Sequence, residues 1–241
     1  MSSGRLVAPL GSLHARWVHA RGVEVLAAML AELIPPGAQV LDIGCADGHI
    51  AWQMQQKQPS ITVRGLEIGE RPQCWIPYEL FDGQRIPKED ASVDCCVFVD
   101  PLHHTDDIAA LLREAARVSR RNVLVKDHLC ESRLDFATLW LMVWVGNRPH
   151  GVAVPHNYQS RRQWAAMFPS CGLRVETWRG QTPFYPFPFS MLFGRGLHFI
   201  AHVRAEIGAA GASAASIPPV IHISRDYVAF ALRDNYPTDG A

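Results

Sequence analysis

Hydrophobic residues along the chain fall into short apolar runs separated by longer amphipathic stretches. The short runs have the length and the β-branched or aromatic residues of buried strands, whereas the stretches repeat apolar positions with helical spacing. Strands that alternate with helices predict a parallel sheet covered by helices. Strands are predicted at residues 40–43, 61–67, 75–81, 91–100, 122–127, 173–178 and 196–204, and helices at 14–33, 50–54, 106–117, 133–145 and 160–168.

The first predicted strand and the turn that follows it, residues 40–48, carry the clearest chemical pattern in the chain. Val40 and Ile43 are the β-branched residues of an apolar run, and small residues follow before the next helix. A strand, a tight turn and a helix begin a βαβ unit and leave backbone N–H groups facing a cofactor. The pattern therefore predicts a cofactor site at this turn.

The glycine spacing in this turn distinguishes between cofactors. A dinucleotide fingerprint requires G-x-G-x-x-G, but here His49 stands where the third glycine belongs. An acid followed by G-x-A-x-G instead resembles motif I of class I S-adenosylmethionine (SAM) methyltransferases, with alanine in place of the middle glycine. An ordinary βα turn of another doubly wound protein is the alternative. The resemblance implies that SAM is bound by Asp42, Gly44, Cys45, Ala46 and Gly48.

Two later segments also have the properties of a nucleoside site. Glu67 ends the second predicted strand 19 residues after Gly48, a spacing that brings its carboxylate beside the first turn to accept hydrogen bonds from ribose. Ile68 then lies against the adenine. Asp82-Gly83 resembles the methyltransferase segment that binds the adenine amino group, although an Asp-Gly turn is common in any protein.

Polar residues follow the fourth and fifth predicted strands, at the sheet edge where ligands of open α/β proteins bind. Asp100, His103 and His104 follow the fourth strand, and His128 follows the fifth. The Leu-His-His segment resembles the matching region of small-molecule methyltransferases. The N/D-P-P-Y motif of amino methyltransferases fits only at Asp100-Pro101.

Residues 38–130 together resemble the methyltransferase type 11, UbiE-like class. The resemblance implies an α/β, Rossmann-like fold, in which a seven-stranded, mostly parallel sheet carries helices on both faces. His103 is then the first candidate for the base that removes a proton from the methyl acceptor, and His128 is the second. Asp100 is a further candidate for cofactor binding.

The remaining parts of the chain are interpreted around this core. Residues 1–37 form an N-terminal arm and cap helix, 38–130 the SAM-binding core, 131–206 a substrate-side lid and the end of the same domain, and 207–241 a flexible linker and tail. The proline-rich loop at 182–189 is interpreted as a pocket wall or a homodimer contact. The loop at 146–158, within the predicted lid, is either a polar surface loop or part of a substrate site. That site would comprise His104, Asn147, His150 and Tyr158.

Composition narrows the choice of partners. Among the 241 residues, 23 basic and 23 acidic side chains give a formal net charge of zero, which offers no electrostatic footprint for nucleic acid or an anionic membrane. Six cysteines without C-x-x-C spacing indicate a reducing, cytoplasmic setting. The apolar run at 139–145 is too short to span a bilayer.

These patterns predict transfer of a methyl group from SAM to an oxygen or nitrogen of a small organic molecule. Carbon methylation of the quinone type stays open. The rivals are an NAD-dependent oxidoreductase, opposed by His49 and by the lack of a Tyr-x-x-x-Lys pair, and a non-catalytic SAM-fold protein. No metal site is predicted, because the histidines and acids do not have ligand spacing along the chain.

Overall fold

A computed structural model describes residues 22–147, 155–180, 191 and 193–206. All of them belong to one compact unit within Met1–Ala210. The predictions for the arm at 1–13, for His150, for the proline-rich loop and for the tail lie outside the described residues. The division of the chain into four parts stays a prediction.

Helices and strands alternate as the hydrophobic pattern predicts. Helix α1 covers 22–31, and it is followed by β1 (Gln39–Ile43), α2 (His49–Lys57), β2 (Thr62–Glu67), β3 (Tyr78–Leu80), β4 (Val93–Val99), α3 (Ile108–Val118), β5 (Ser119–His128), α4 (Arg133–Asn147), α5 (Arg161–Ser170), β6 (Leu173–Arg179) and β7 (His198–Ala205). The third strand is shorter than predicted, and the fifth begins three residues earlier.

The seven strands form one sheet in the order β3-β2-β1-β4-β5-β7-β6. Strands β1 to β5 pair in parallel, whereas β7 runs antiparallel to both β5 and β6. This confirms the predicted Rossmann-like sheet. The strand order reverses between β1 and β4, so a crevice opens at their carboxyl ends, which is where open α/β sheets bind ligands.

Both faces of the sheet are buried, as a parallel sheet requires. Adjacent residues of β4 point to opposite sides: Cys95 packs with α1 and α2, whereas Cys96 packs with α3 and α5. All six cysteines are unpaired. In the part of the chain that the structure describes, no helix combines the length and the apolarity needed to cross a membrane.

Two helix starts show how local sequence sets the frame of the site. The Asp107 side chain accepts a hydrogen bond from the Ala110 backbone N–H at 2.8 Å and begins α3. Ser160 and Gln163 form a reciprocal capping box that begins α5. Caps of this kind contribute about 1 kcal/mol each.

Candidate cofactor and catalytic site

The turn after β1 packs closely against the end of β4. Gly44 has φ +75°, and a Cβ placed there would lie 2.6 Å from Cβ of Pro101. Gly48 has φ +72°, and its Cβ would lie 2.6 Å from Cγ1 of Ile76. Positive φ and close packing both require glycine at these positions. Glycine at both positions therefore lets the turn pack against Pro101 and Ile76.

Ala46 occupies the position of the missing glycine in this turn. Its φ is +52°, in the left-handed region that costs an alanine roughly 1–2 kcal/mol. Its backbone N–H donates to Oε2 of Glu67 at 2.7 Å, and this bond holds the residue in place. The strained residue is therefore the one that contacts Glu67, the acid predicted to bind ribose.

Glu67 lies beside the first turn, as its spacing from Gly48 predicts. It is 4% exposed, accepts a second hydrogen bond from the Ile68 backbone N–H at 2.9 Å, and lies 3.2 Å from Nη2 of Arg71. The carboxylate that is predicted to bind ribose is therefore held in a fixed position by backbone donors and a cation.

Asp42 is a buried acid beneath the same turn. Burial raises its pKa to about 7, and the nearby charge of Glu67 adds to the rise. Its Oδ1 has no hydrogen-bond partner among the described residues. Cys45, the next predicted contact on this turn, is also buried, and burial raises the pKa of its thiol well above the usual range.

The predicted adenine contacts lie together at the outer side of the crevice. A Cβ on Gly83 would lie 3.1 Å from Cγ2 of Ile68, and the Ile68 side chain is 67% exposed. Oδ1 of Asp82 accepts the backbone N–H groups of Gln84 and Arg85, each at 2.8 Å. These two bonds lower the pKa of Asp82. The structure therefore provides an apolar side chain facing a turn with a fixed carboxylate.

A second group of polar residues is buried where β4 and β5 end. His103 lies on a short 3₁₀ turn, Leu102–His104, and its Nδ1 is 2.8 Å from Oδ1 of Asp127. Both side chains are almost fully buried. The backbone N–H of His128 donates to the same oxygen at 2.7 Å. The carboxylate therefore fixes the orientation of the His103 ring and favours the tautomer with the proton on Nδ1.

Asp100 ends β4 with φ +62°, an uncommon conformation for an aspartate. One of its oxygens pairs with the ammonium of Lys126, and the other lies 3.6 Å from Nε2 of His128. Burial alone would raise the pKa of Asp100, but Lys126 and His128 hold it well below its usual range. Burial also lowers the pKa of His128 to about 3. A histidine with so low a pKa is a poor proton acceptor near neutral pH, which argues against His128 as the base.

The predicted substrate residues have different environments. The His104 ring lies 4.3 Å from that of His103 (centroid to centroid), and burial lowers its pKa to about 4. Asn147 is the last residue of α4. Tyr158 is only 1% exposed, with its hydroxyl 3.3 Å from the Leu139 carbonyl, so it lies in the core rather than on an exposed loop.

Three neighbours of the catalytic candidates were not predicted as site residues. Asp127 and Lys126 appear in the sequence only as the end of the fifth strand, and both are buried because helices cover both faces of the sheet there. His198 lies opposite His128 in the β5–β7 pairing, with the two Nδ1 atoms 3.1 Å apart. No local pattern indicates His198, because its partner lies 70 residues away along the chain.

The described residues bring Asp100, His103, Asp127 and His128 into one group. One donor atom of each lies within 4.8 Å of the donor atoms of the others, a separation that a metal ion could bridge. Spacing along the chain does not reveal this group, because its members come from the ends of two neighbouring strands. The absence of a metal stays a prediction from sequence.

A profile of a family described as "methyltransferase domain" matches residues 14–177, more than half of the chain. The chain belongs to this family. The methyltransferase is 31% identical over 106 residues to a 27-O-demethylrifamycin SV methyltransferase of Amycolatopsis mediterranei, covering 38% of the chain and 39% of that relative. It is 29% identical over 90 residues to a malonyl-[acyl-carrier protein] O-methyltransferase of Serratia marcescens, covering 35% of each. The matched part therefore spans less than two-fifths of these relatives.

Among solved structures, the methyltransferase resembles the one bound to the Trm112 activator of Haloferax volcanii. The TM-score is 0.56 at 16% identity, with 81% of this chain and 92% of that chain covered. At this identity the likeness supports the fold alone. Membership in this family favours a SAM-dependent methyltransferase over an NAD-dependent oxidoreductase.

Proposed function

We propose that the methyltransferase transfers the methyl group of SAM to an oxygen, or a nitrogen, of a small organic molecule in specialised metabolism. The observation that carries the proposal is the buried His103–Asp127 pair, joined at 2.8 Å, at the carboxyl ends of β4 and β5. A proton acceptor at this edge suits an acceptor that has to lose a proton. By name, one relative reported above is a methyltransferase of 27-O-demethylrifamycin SV, and the other is an O-methyltransferase of malonyl-[acyl-carrier protein].

The turn after β1, residues 44–48, is called the cofactor turn below, and it has features that fit SAM. Gly44 and Gly48 let the turn pack against Pro101 and Ile76 with a left-handed backbone, and Asp42 offers a buried oxygen, without a partner among the described residues, for the amino group of the cofactor. In this proposal Glu67 binds the ribose, and Ile68 and the Asp82–Gly83 turn contact the adenine. These residues position the cofactor, and its sulfonium supplies a methyl group that is already activated for displacement.

His103 and Asp127 then act on the methyl acceptor. The Asp127 carboxylate accepts the Nδ1–H of His103, which leaves Nε2 to take the proton of an acceptor hydroxyl or amine. The lone pair of the acceptor atom forms the new bond to the methyl carbon as the carbon–sulfur bond breaks. The electron pair of the carbon–sulfur bond stays on sulfur. The Asp127 carboxylate stabilises the protonated imidazole that results. In this scheme Asp127 is a positioning residue.

Calorimetric titration with SAM, S-adenosylhomocysteine and NAD tests the cofactor assignment first. We expect binding of the two sulfur nucleosides and none of NAD. A screen of phenols, amines and carboxylic acids, with methylated products detected by mass spectrometry, then identifies the acceptor class. If neither sulfur nucleoside binds, the assignment of Asp42, Gly44 and Glu67 is wrong.

Replacing the proposed base tests the mechanism. His103→Gln should retain SAM affinity and lose about 10²–10⁴-fold in kcat for a phenol or amine. His202→Gln is the matched control. It makes the same substitution at a histidine of β7 whose Nε2 lies 3.0 Å from the side-chain oxygen of Asn122, which is not a proposed site residue. A carboxylic acid is already ionised near neutral pH and needs no base. If His103→Gln is fully active with a phenol or amine, His103 is not the base.

A further inference from the structure

Asp100 and Asp127 each have one buried carboxylate oxygen that has no hydrogen-bond partner among the described residues. We propose that Asp100, Asp127 and His128 bind one divalent metal ion, and that the oxygen of the methyl acceptor completes its coordination. The inference rests on the proposed function, because the ion would act on the same acceptor as His103.

The pair formed by Asp100 and His128 has the spacing of two metal ligands. Oδ1 of Asp100 lies 3.6 Å from Nε2 of His128, too far for a hydrogen bond, and has no hydrogen-bond partner among the described residues. Two donors that are each about 2.1 Å from one ion and 3.6 Å apart subtend about 118°. That angle lies close to the tetrahedral and trigonal values found at metal centres.

Asp127 provides the third donor. Its Oδ1 accepts hydrogen bonds from the His103 ring and the His128 backbone, whereas its Oδ2 has no hydrogen-bond partner among the described residues. The side chain is 1% exposed, so bulk water does not satisfy this oxygen. A buried carboxylate oxygen without a donor is costly, and a cation supplies the missing partner. His103 keeps its bond to Asp127 and its role as base.

Surrounding contacts orient the proposed ligands. Nδ1 of His128 lies 3.1 Å from Nδ1 of His198, so Nε2 is the nitrogen that faces Asp100. Metal-binding histidines usually have their second nitrogen fixed in this way. Lys126 holds the other oxygen of Asp100 and leaves Oδ1 directed toward His128. Asp100 is the most exposed of the three proposed ligands, with 33% of its side chain exposed.

Small side-chain movements would complete the site. Two ligands about 2.1 Å from one ion can be at most about 4.2 Å apart. The donor atoms of the group lie within 4.8 Å of one another, so the widest pair has to close by no more than about 0.6 Å.

Two carboxylates and one imidazole suit Mn²⁺ or Zn²⁺, which accept both oxygen and nitrogen ligands. An ion here would lower the pKa of a coordinated acceptor hydroxyl, as it does for bound water. The proton then passes to Nε2 of His103, and the metal-bound oxygen attacks the methyl carbon. The electron pair of the broken carbon–sulfur bond stays on sulfur, so charge and atoms balance.

Cobalt titration of the chelator-treated full chain tests the inference directly. We expect one Co²⁺ per chain, with micromolar affinity and visible absorption bands from bound cobalt, and competition by Zn²⁺ and Mn²⁺. His128→Gln should weaken Co²⁺ binding at least about tenfold, which is the loss known even for outer contacts of metal ligands. His202→Gln is the control and should bind Co²⁺ as the wild type does.

Two further measurements keep the result interpretable. SAM affinity of His128→Gln reports whether the variant is folded, and Asp127→Asn is a second variant that should also lose Co²⁺. A wild-type protein that takes up no Co²⁺, Mn²⁺ or Zn²⁺ at millimolar concentration overturns the inference and leaves Lys126 as the balancing cation. A His128→Gln variant with unchanged cobalt affinity would also overturn the inference.

Activity measurements separate the metal site from the proposed function. We expect chelator-treated enzyme to lose methyl transfer and to regain it with Mn²⁺ or Zn²⁺, while SAM binding stays constant. Methyl transfer that is unchanged without metal overturns the metal site and leaves the proposed function standing. A protein that binds Co²⁺ and SAM but methylates no acceptor supports the metal site and contradicts the proposed function.

Discussion

Asp42→Asn should stabilise the ligand-free protein at alkaline pH. Asp42 is buried beneath the cofactor turn, and burial raises its pKa from the ordinary 3.8 to about 7. Above pH 7 the folded protein therefore holds a buried carboxylate without adequate solvation. An asparagine of the same shape removes that charge.

The size and the sign of the effect follow from linkage. Between about pH 4 and pH 7 the folded protein keeps a proton that the unfolded chain has released, so the free energy of unfolding falls as pH rises. A pKa that rises from 3.8 to about 7 corresponds to about 4 kcal/mol at 1.36 kcal/mol per pH unit. Relaxation of the surroundings reduces this value, and we expect a gain of about 2–4 kcal/mol for the variant near pH 8.

Urea unfolding without ligand, near pH 4 and near pH 8, measures the difference. Other buried groups such as His104 and His128 also titrate, but they do so in both proteins, and the difference between the two isolates Asp42. Asp106→Asn makes the same chemical change at an exposed position and serves as the control. The variant and the wild type should have nearly equal stability near pH 4. Equal stability near pH 8 would refute the argument.

The same substitution should have the opposite effect on cofactor binding. If the unpartnered oxygen of Asp42 receives the amino group of SAM, the affinity of the wild type should rise with pH through about 7 as the carboxylate forms. Asp42→Asn should bind SAM more weakly, and its affinity should lose this pH dependence. Calorimetry across this range measures both. A stabilised variant with unchanged SAM affinity would remove Asp42 from the cofactor site.

Three further substitutions probe the cofactor turn. Gly44→Ala should lower the free energy of unfolding by about 1–3 kcal/mol and weaken SAM binding, because its Cβ would lie 2.6 Å from Cβ of Pro101 and its φ is +75°. Thermal unfolding measures the loss of stability, and calorimetry measures the loss of SAM affinity. Ala46→Gly should raise stability by up to about 1 kcal/mol in urea unfolding, since it relieves a φ of +52°; a loss would contradict this. Glu67→Gln should weaken SAM binding about tenfold, because an amide replaces one acceptor oxygen with a donor; unchanged affinity would remove Glu67 from the ribose site.

Local patterns predicted the sheet and most of the cofactor site. The apolar run before Gly44 and the small residues after it act over a few positions, so strand, turn and helix follow from the sequence alone. The residues between Gly48 and Glu67 form one helix and one strand. Parallel pairing of β1 with β2 then brings the Glu67 carboxylate to the turn, 2.7 Å from the Ala46 backbone nitrogen. The Ser160 cap likewise depends on two residues three positions apart.

The environment of the catalytic candidates was decided by the tertiary structure. His103 could be identified by resemblance, but its bond to Asp127 depends on the register between β4 and β5, which no short pattern encodes. His198 reaches His128 because β7 inserts antiparallel beside β5. Tyr158 was placed on a loop by its polar neighbours and is buried by packing against Phe136 and the histidines. Sequence determines which residues can ionise or bind, whereas burial and unpaired oxygens, which set their pKa and chemistry, arise only when distant segments pack together.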